Sequence, residues 1–240
     1  MTTIMARWRY KYEHSETLSQ SIKAAWSEPE IIGRKGGYVT ALGRPAVFVL
    51  TGGPGGGKTT FMGELRNEDP NCRKWVLVPE AAPWLFRAGL NASEKSFQAG
   101  VVHLQIALED ACAQAAPCEA VLLCHRGSLD PLAYWLAAGW NEKDFFDCVG
   151  FSRDALLQRY AGIIHLQTAA LDAEDHYLGW PDAHRRETPA EARTIDGLCR
   201  RAWNGHHHQT FIENQGRNWA GKSHVLRQTL SCWLSDSQTE

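Results

Sequence analysis

The stretch VFVLTGGPGGGKTT, residues 47–60, limits what this chain can fold into more than any other segment. Gly52 is followed by four residues and then by Gly57, Lys58 and Thr59. Ahead of the glycines, AVFVL (46–50) is a continuous apolar run rich in β-branched and aromatic residues. A run of that kind suits a strand buried on both faces. Behind them, TTFMGELR (59–66) holds good helix formers, with Gly63 the one breaker. Strand, glycine loop and helix in that order is the context a phosphate-binding P-loop requires. Gly52, Gly53, Gly55, Gly56 and Gly57, around Pro54, let the backbone curl so that successive N–H groups aim at one anion. The start of the helix adds about half a positive charge at the same place. On this reading Lys58 reaches the β- and γ-phosphates, the Thr59 hydroxyl ligates Mg2+, and Thr60 touches the α-phosphate.

The 240 residues suffice for one large α/β domain, or for one domain with an appendage, and the 44% hydrophobic content supports a core. A formal net charge of −2 argues against general nucleic-acid binding, which calls for a basic excess. No apolar run reaches membrane-spanning length, and no signal peptide is visible. The seven cysteines are scattered; Cys112, Cys118 and Cys124 are six apart, but no CxxC pair exists. Reduced thiols in a cytoplasmic protein are therefore expected, and zinc is not.

Residues 1–44 differ from the rest and are expected to form an N-terminal extension or arm, with the P-loop domain spanning 45–240. ARWRYKY (6–12) suits an edge strand or a solvated arm, and SETLSQSIKAAW (15–26) a short helix. The Pro and Gly punctuation of residues 27–45 reads as a connector. From residue 46 strands and helices alternate. WVLVPE (75–80), EAVLLCHRG (119–127), AGIIHLQT (161–168) and QTFIEN (209–214) read as further strands. Helical patterns lie at 81–89, 93–115 (interrupted at Gly100), 128–139, 142–150, 189–203 and 222–234. The expected fold is a five-stranded parallel sheet with helices on both faces, of the P-loop nucleoside- or nucleotide-kinase type. Ligands then sit at the carboxyl ends of the strands.

Those ends carry the candidate chemistry. The second strand, 75–80, ends in Glu80, which can accept a proton from an acceptor hydroxyl or hold Mg2+ through water; an ordinary helix-start glutamate is the alternative. The third strand and its exit loop, 119–127, bring His125 and Arg126. A P-loop enzyme usually ends this strand with an acid that serves the metal, and an imidazole brings no negative charge. Arg126 is a fixed cation suited to phosphate. Asp130 either caps the next helix or supplies the missing charge. After 161–168 a polar segment, about 169–190, is placed where a lid is needed; it ends in Arg185 and Arg186, which suit a transferring phosphoryl group, with Glu187 to orient one of them. A solvated loop is the alternative there. HHH (206–208) lacks an evident partner for a metal and is expected at a base pocket or sheet edge.

With LTGGPGGGKTT, VPEAAPWLFRAG, Phe97, Gln105 and Glu109 in the long helix, HRGSLDPLAYW, RRETPAEA, AWNGH and IEN, the chain resembles the P-loop NTPases of the NadR and TRPL-translocation-defect type. That group is placed among AAA-type domains and lies close to small-molecule kinases. The likeness spans about 46–225. The same landmarks are similar, more distantly, to deoxynucleoside kinases. That resemblance implies Glu80 as catalytic base, Arg126 as the arginine after the third strand, and Arg185 and Arg186 as lid arginines. His125 departs from it, since the group generally shows an acid there.

Two functions are carried forward. The first is a phosphotransferase using ATP or GTP with Mg2+ on a small acceptor such as a nucleoside or riboside. Its acceptor cavity is expected to be walled by Trp84, Phe97, Gln105 and Tyr134, with His125 and Asp130 beside them. The second is a nucleotide-dependent switch, with slow hydrolysis and the protein or phosphoinositide partners that the resemblance implies.

Overall fold

The computed structural model describes residues 31–34, 37–40, 45–71, 74–117, 119–178 and 187–236. Strands β1 (Ile31–Arg34) and β2 (Gly37–Thr40) pair antiparallel, with Ile31 opposite Thr40. Part of the segment read as a connector is thus a two-stranded ribbon. Gly33 and Gly37 lie within its strands, IIGR and GYVT. The arm and short helix expected at 6–12 and 15–26 lie outside the described residues.

The domain proper alternates strand and helix. In order come β3 (Val47–Thr51), α1 (Lys58–Glu68), β4 (Trp75–Val78), α2 (Ala82–Arg87) and α3 (Lys95–Ala115). Then follow β5 (Val121–His125), α4 (Asp130–Ala137), α5 (Glu142–Val149), α6 (Arg153–Leu157) and β6 (Gly162–Leu166). The last are α7 (Glu174–Leu178), α8 (Pro189–Ala202), β7 (Gln209–Ile212) and α9 (Trp219–Asp236). The five-stranded sheet runs β4-β5-β3-β6-β7, parallel throughout. From β3 the chain crosses to one side for β4 and β5, then to the other for β6 and β7. The reversal falls at the carboxyl end of β3, which is where such sheets bind ligands.

Both faces of the sheet are apolar, which is why its strands read as unbroken hydrophobic runs. Val47, Val49, Leu122, Cys124 and Ile163 pack with Val102 of α3, Trp135 of α4 and Trp203 just beyond α8. Phe48, Leu50, Leu123, Ile164 and Leu166 pack on the other side with Phe61 and Leu65 of α1 and with Leu226 and Leu230 of α9. The long helix α3 runs through Gly100 without the expected interruption. A side chain there would meet Leu85 Cδ1 at 3.2 Å, so the glycine admits α2 rather than breaking the helix. Helices α6 and α7, five residues each, are too short to show a periodic pattern.

One buried polar network braces the loops that follow β4 and β5. Glu109 of α3 is 2% exposed. It accepts hydrogen bonds from Arg159 Nε (3.2 Å), Tyr160 Oη (2.9 Å) and Gln105 Nε2 (3.3 Å). Gln105 in turn accepts from the Ala81 N–H at 3.2 Å, and Tyr160 accepts from the Ser128 N–H at 2.7 Å. Each loop is therefore tied to a single carboxylate. Removing one partner of a buried ion pair strands the other without water. Glu109→Ala should cost about 3–5 kcal/mol of unfolding free energy in urea, and Glu109→Gln clearly less. A loss under about 1 kcal/mol for the alanine variant would show that water replaces the carboxylate.

Candidate functional site

The site grows from the end of β3. Gly52, Gly55 and Gly57 have φ of 117°, 74° and 95°, the left-handed region that side chains avoid. At Gly52 a Cβ would collide with the carbonyl oxygen of Leu166, and at Gly57 with the ring of Trp219. The loop is thus pressed between β6 and the start of α9. No side chain caps the N-terminus of α1, so its first-turn N–H groups face the space above the loop. Lys58 is buried and donates from Nζ to the carbonyls of Gly52 and Gly53, both at 2.8 Å. Burial, with Arg126 nearby, lowers its pKa to about 8. A cradle of aimed N–H groups with a lysine folded over it fits a polyphosphate.

Beside the cradle a chain of alternating groups links three strand ends. Thr59 Oγ1, at the exposed start of α1, lies 2.9 Å from His125 Nε2. His125 Nδ1 lies 3.2 Å from Glu80 Oε2, and Glu80 Oε1 lies 2.9 Å from Arg126 Nε. The last two are close contacts in which the N–H does not point straight at the oxygen. Burial alone would push the Glu80 carboxyl up. The Arg126 guanidinium, with His125 and Lys58, outweighs it and brings the pKa to about 2. Glu80 is therefore a carboxylate held ionised by its neighbours.

Arg126 itself sits at φ 66°, a strained conformation for an arginine that costs on the order of 1 kcal/mol. Its head group sustains it: Nη1 donates to Asp130 Oδ1 (3.0 Å) and to the Gly52 carbonyl (3.1 Å), and Nη2 donates to Tyr134 Oη (2.9 Å). Strain of this kind, kept by surrounding contacts, is a feature of functional sites.

Asp130 departs from its expected place beside an acceptor pocket. It is 1% exposed. Its oxygens accept from Thr51 Oγ1 (2.7 Å), Arg126, the Gly127 N–H (2.8 Å) and Trp203 Nε1 (3.3 Å). Every lone-pair direction is used within the protein. Gln105 is likewise an internal bracket behind Ala81 rather than a wall. Phe97 is buried in a small apolar cluster with Ala81 and Val101, against Phe86. Trp84 is 52% exposed, with Arg87 over its ring. Tyr134 keeps company with the site through Arg126. Thr60 is exposed next to Thr59. Arg185 and Arg186 lie outside the described residues. The base of the expected lid is anchored: Tyr177 Oη donates to the Glu187 carbonyl (2.8 Å), and Arg193 donates to the Ala170 carbonyl (3.0 Å). In HHH, His206 and His208 meet the backbone carbonyls of Tyr160 and Ala161 at the edge of the sheet.

Asp196 escaped sequence reasoning. Its Oδ1 accepts from the Gly53 N–H at 2.7 Å and from the Thr168 N–H at 3.0 Å, and Oδ2 lies 3.1 Å from His165 Nε2. It fastens the glycine loop to the exit of β6. The signal was present: Asp196 interrupts the buried stripe Ala192, Ile195, Cys199 and Ala202 of α8 with an acid. A carboxylate on a core-facing stripe needs buried donors.

A family model described as an AAA domain matches residues 47–219, more than half of the chain. No curated protein matches it. Both the matched span and the glycine loop at its head agree with the parallel sheet and its switch point. The chain belongs to this AAA-domain family, a nucleotide-binding family of the P-loop NTPase type.

Proposed function

We propose that the protein is a phosphotransferase. It moves the terminal phosphoryl group of ATP or GTP to a hydroxyl of a small acceptor such as a nucleoside or riboside. The observation that carries this reading is the ionised Glu80 beside the Lys58 cradle, paired with Arg126 at 2.9 Å. A carboxylate so placed has a direct use in accepting a hydroxyl proton, and little use in gripping an anionic phosphate.

The backbone N–H groups of Gly55, Gly56 and Gly57 and the N-terminus of α1 bind the phosphates, while the Gly53 N–H is held by Asp196. Lys58 leaves the loop carbonyls for the β- and γ-oxygens. Thr59 is the residue of this loop that would hold the divalent ion, whose charge neutralises the transferring group. Arg126 faces both Glu80 and the cradle. When phosphate charge draws the guanidinium, Glu80 loses the partner that depresses its basicity, and its affinity for the acceptor proton rises. Proton acceptance is thereby linked to an occupied phosphate site. Arg185 and Arg186, in the segment read as a lid, would supply further positive charge. The work of the site is positioning and charge neutralisation.

A second reading is favoured by the same carboxylate. A pKa of about 2 makes Glu80 a weak base while Arg126 stays paired to it. A protein that never releases that pair would bind nucleotide, hydrolyse it slowly, and act as a switch for a protein or phosphoinositide partner.

Lys58→Ala should weaken nucleotide binding by roughly a hundredfold in a fluorescent-nucleotide titration, since it deletes a charged donor to two phosphates. Unchanged affinity would remove the cradle assignment. The two readings separate in a transfer assay. The wild type and Glu80→Gln are incubated with ATP or GTP, a divalent cation and pooled nucleosides and ribosides, and products are read by mass spectrometry. The kinase reading expects a phosphorylated acceptor, formed about a hundredfold or more slowly by Glu80→Gln. Tight nucleotide binding with slow phosphate release and no acceptor modified would favour the switch.

A further inference from the structure

The end of β5 carries an imidazole where a hard, negatively charged oxygen would be the natural companion of Mg2+. Mg2+ requires oxygen ligands in tight octahedral geometry and keeps its waters. Imidazole nitrogen suits ions of the first transition row, with affinity rising from Mn2+ through Co2+. The geometry points to a metal site of different selectivity: we propose that His125 Nε2 is a direct ligand of the nucleotide-bound ion, and that the site prefers Mn2+ or Co2+ to Mg2+. The inference rests on the reading of the glycine loop as a triphosphate cradle.

Three observations support it. First, His125 Nε2 lies 2.9 Å from Thr59 Oγ1, the hydroxyl that a P-loop offers to its ion. One small cation can sit against both atoms, because the two already share a hydrogen bond. Second, Nδ1 faces Glu80 Oε2 at 3.2 Å. A carboxylate at Nδ1 favours the tautomer with its proton there, and leaves the Nε2 lone pair facing Thr59. A carboxylate close to the second ring nitrogen is the usual support of a metal-binding histidine. Third, the acids that could restore an oxygen ligand are committed. Asp130 is buried with Thr51, Arg126, Gly127 and Trp203, and Asp196 holds Gly53 and Thr168. Glu80 is engaged at Nδ1 of the same imidazole that meets Thr59 through Nε2. Among the described residues, no cluster of three or more His, Cys, Asp or Glu side chains forms a metal site by itself. The ion therefore arrives with the nucleotide, and Thr59 and His125 are the protein's share of its ligands.

On binding, the Thr59 hydroxyl keeps its proton and turns an oxygen lone pair to the ion. The imidazole gives its Nε2 lone pair to the ion in place of the hydrogen bond to Thr59. No group is oxidised or reduced.

The test uses the full chain and a non-hydrolysable triphosphate analogue. Its affinity is measured with Mg2+, Mn2+, Co2+ and EDTA. The wild type should bind about tenfold or more tightly with Mn2+ than with Mg2+, and more tightly again with Co2+. His125→Asp should bring the three ions close together or favour Mg2+. Pulsed electron paramagnetic resonance of the Mn2+ complex should show coupling to a protein nitrogen. That coupling should change when wild-type protein is labelled with 15N-histidine, a comparison that needs no variant to fold. Tight binding with equal affinities for Mg2+ and Mn2+, or a Mn2+ complex without histidine coupling, would overturn the metal assignment and leave the cradle standing. Failure to bind the analogue under any condition would overturn both.

Discussion

A carboxylate cannot remain ionised inside a protein unless nearly every lone pair finds a donor. Asp130 meets that demand by drawing on three parts of the chain at once: the end of the glycine-loop strand through Thr51, the β5 exit through Arg126 and Gly127, and the residue after α8 through Trp203. The position of one buried charge therefore fixes how the loop, the strand beside it and the covering helix are placed. Arg126 shares this charge with Glu80, so the outer carboxylate is located by the inner one. Asp196 repeats the device on the other flank, joining the loop to β6. The cradle is held from both sides by acids that do not themselves approach the phosphate space.

This arrangement also separates two roles that proximity alone would confuse. Asp130 and Asp196 are saturated by neighbours and serve as braces. Glu80 is partly accessible, with 27% of its side chain exposed, and its ion pair can be redistributed when phosphate charge enters. The distinction lies in how many donors surround each carboxylate, rather than in how near each lies to Lys58.

The sheet was legible because its strands are buried on both faces. Apolar runs such as AVFVL and VLLC have no other place to go, and the glycine loop has a spacing that phosphate chemistry demands. Glu80, His125 and Arg126 were legible for the same reason, since parallel sheets present whatever follows their strands. The braces were not. Glu109 meets Arg159 across 50 residues, and Asp196 meets Gly53 across 143, so even where an acid on a buried stripe marks Asp196 as needing donors, no local pattern names the partner. Gln105 looked like a pocket wall because it shares a helix with Phe97, yet its amide is taken up by Ala81 and Glu109. Gly100 looked like a break because a glycine's lack of side chain reads the same whether it ends a helix or lets another element approach. The β1–β2 ribbon was hidden by Gly33 and Gly37, which read as punctuation although they sit inside paired strands.

The contact between Gly57 and Trp219 joins the glycine loop to the first turn of α9. Trp219 also donates through Nε1 to Glu64, one helical stretch beyond the loop. A ribosome releases the chain from its N-terminal end, so the loop emerges long before the indole that packs against it. During synthesis the anion-binding turn must wait, with one flank bare, until residue 219 has cleared the exit tunnel and α9 has docked. The packing of the loop is thus completed at a late moment of biogenesis, and a nascent chain cut short before α9 would carry the complete glycine signature without the wall that packs against it.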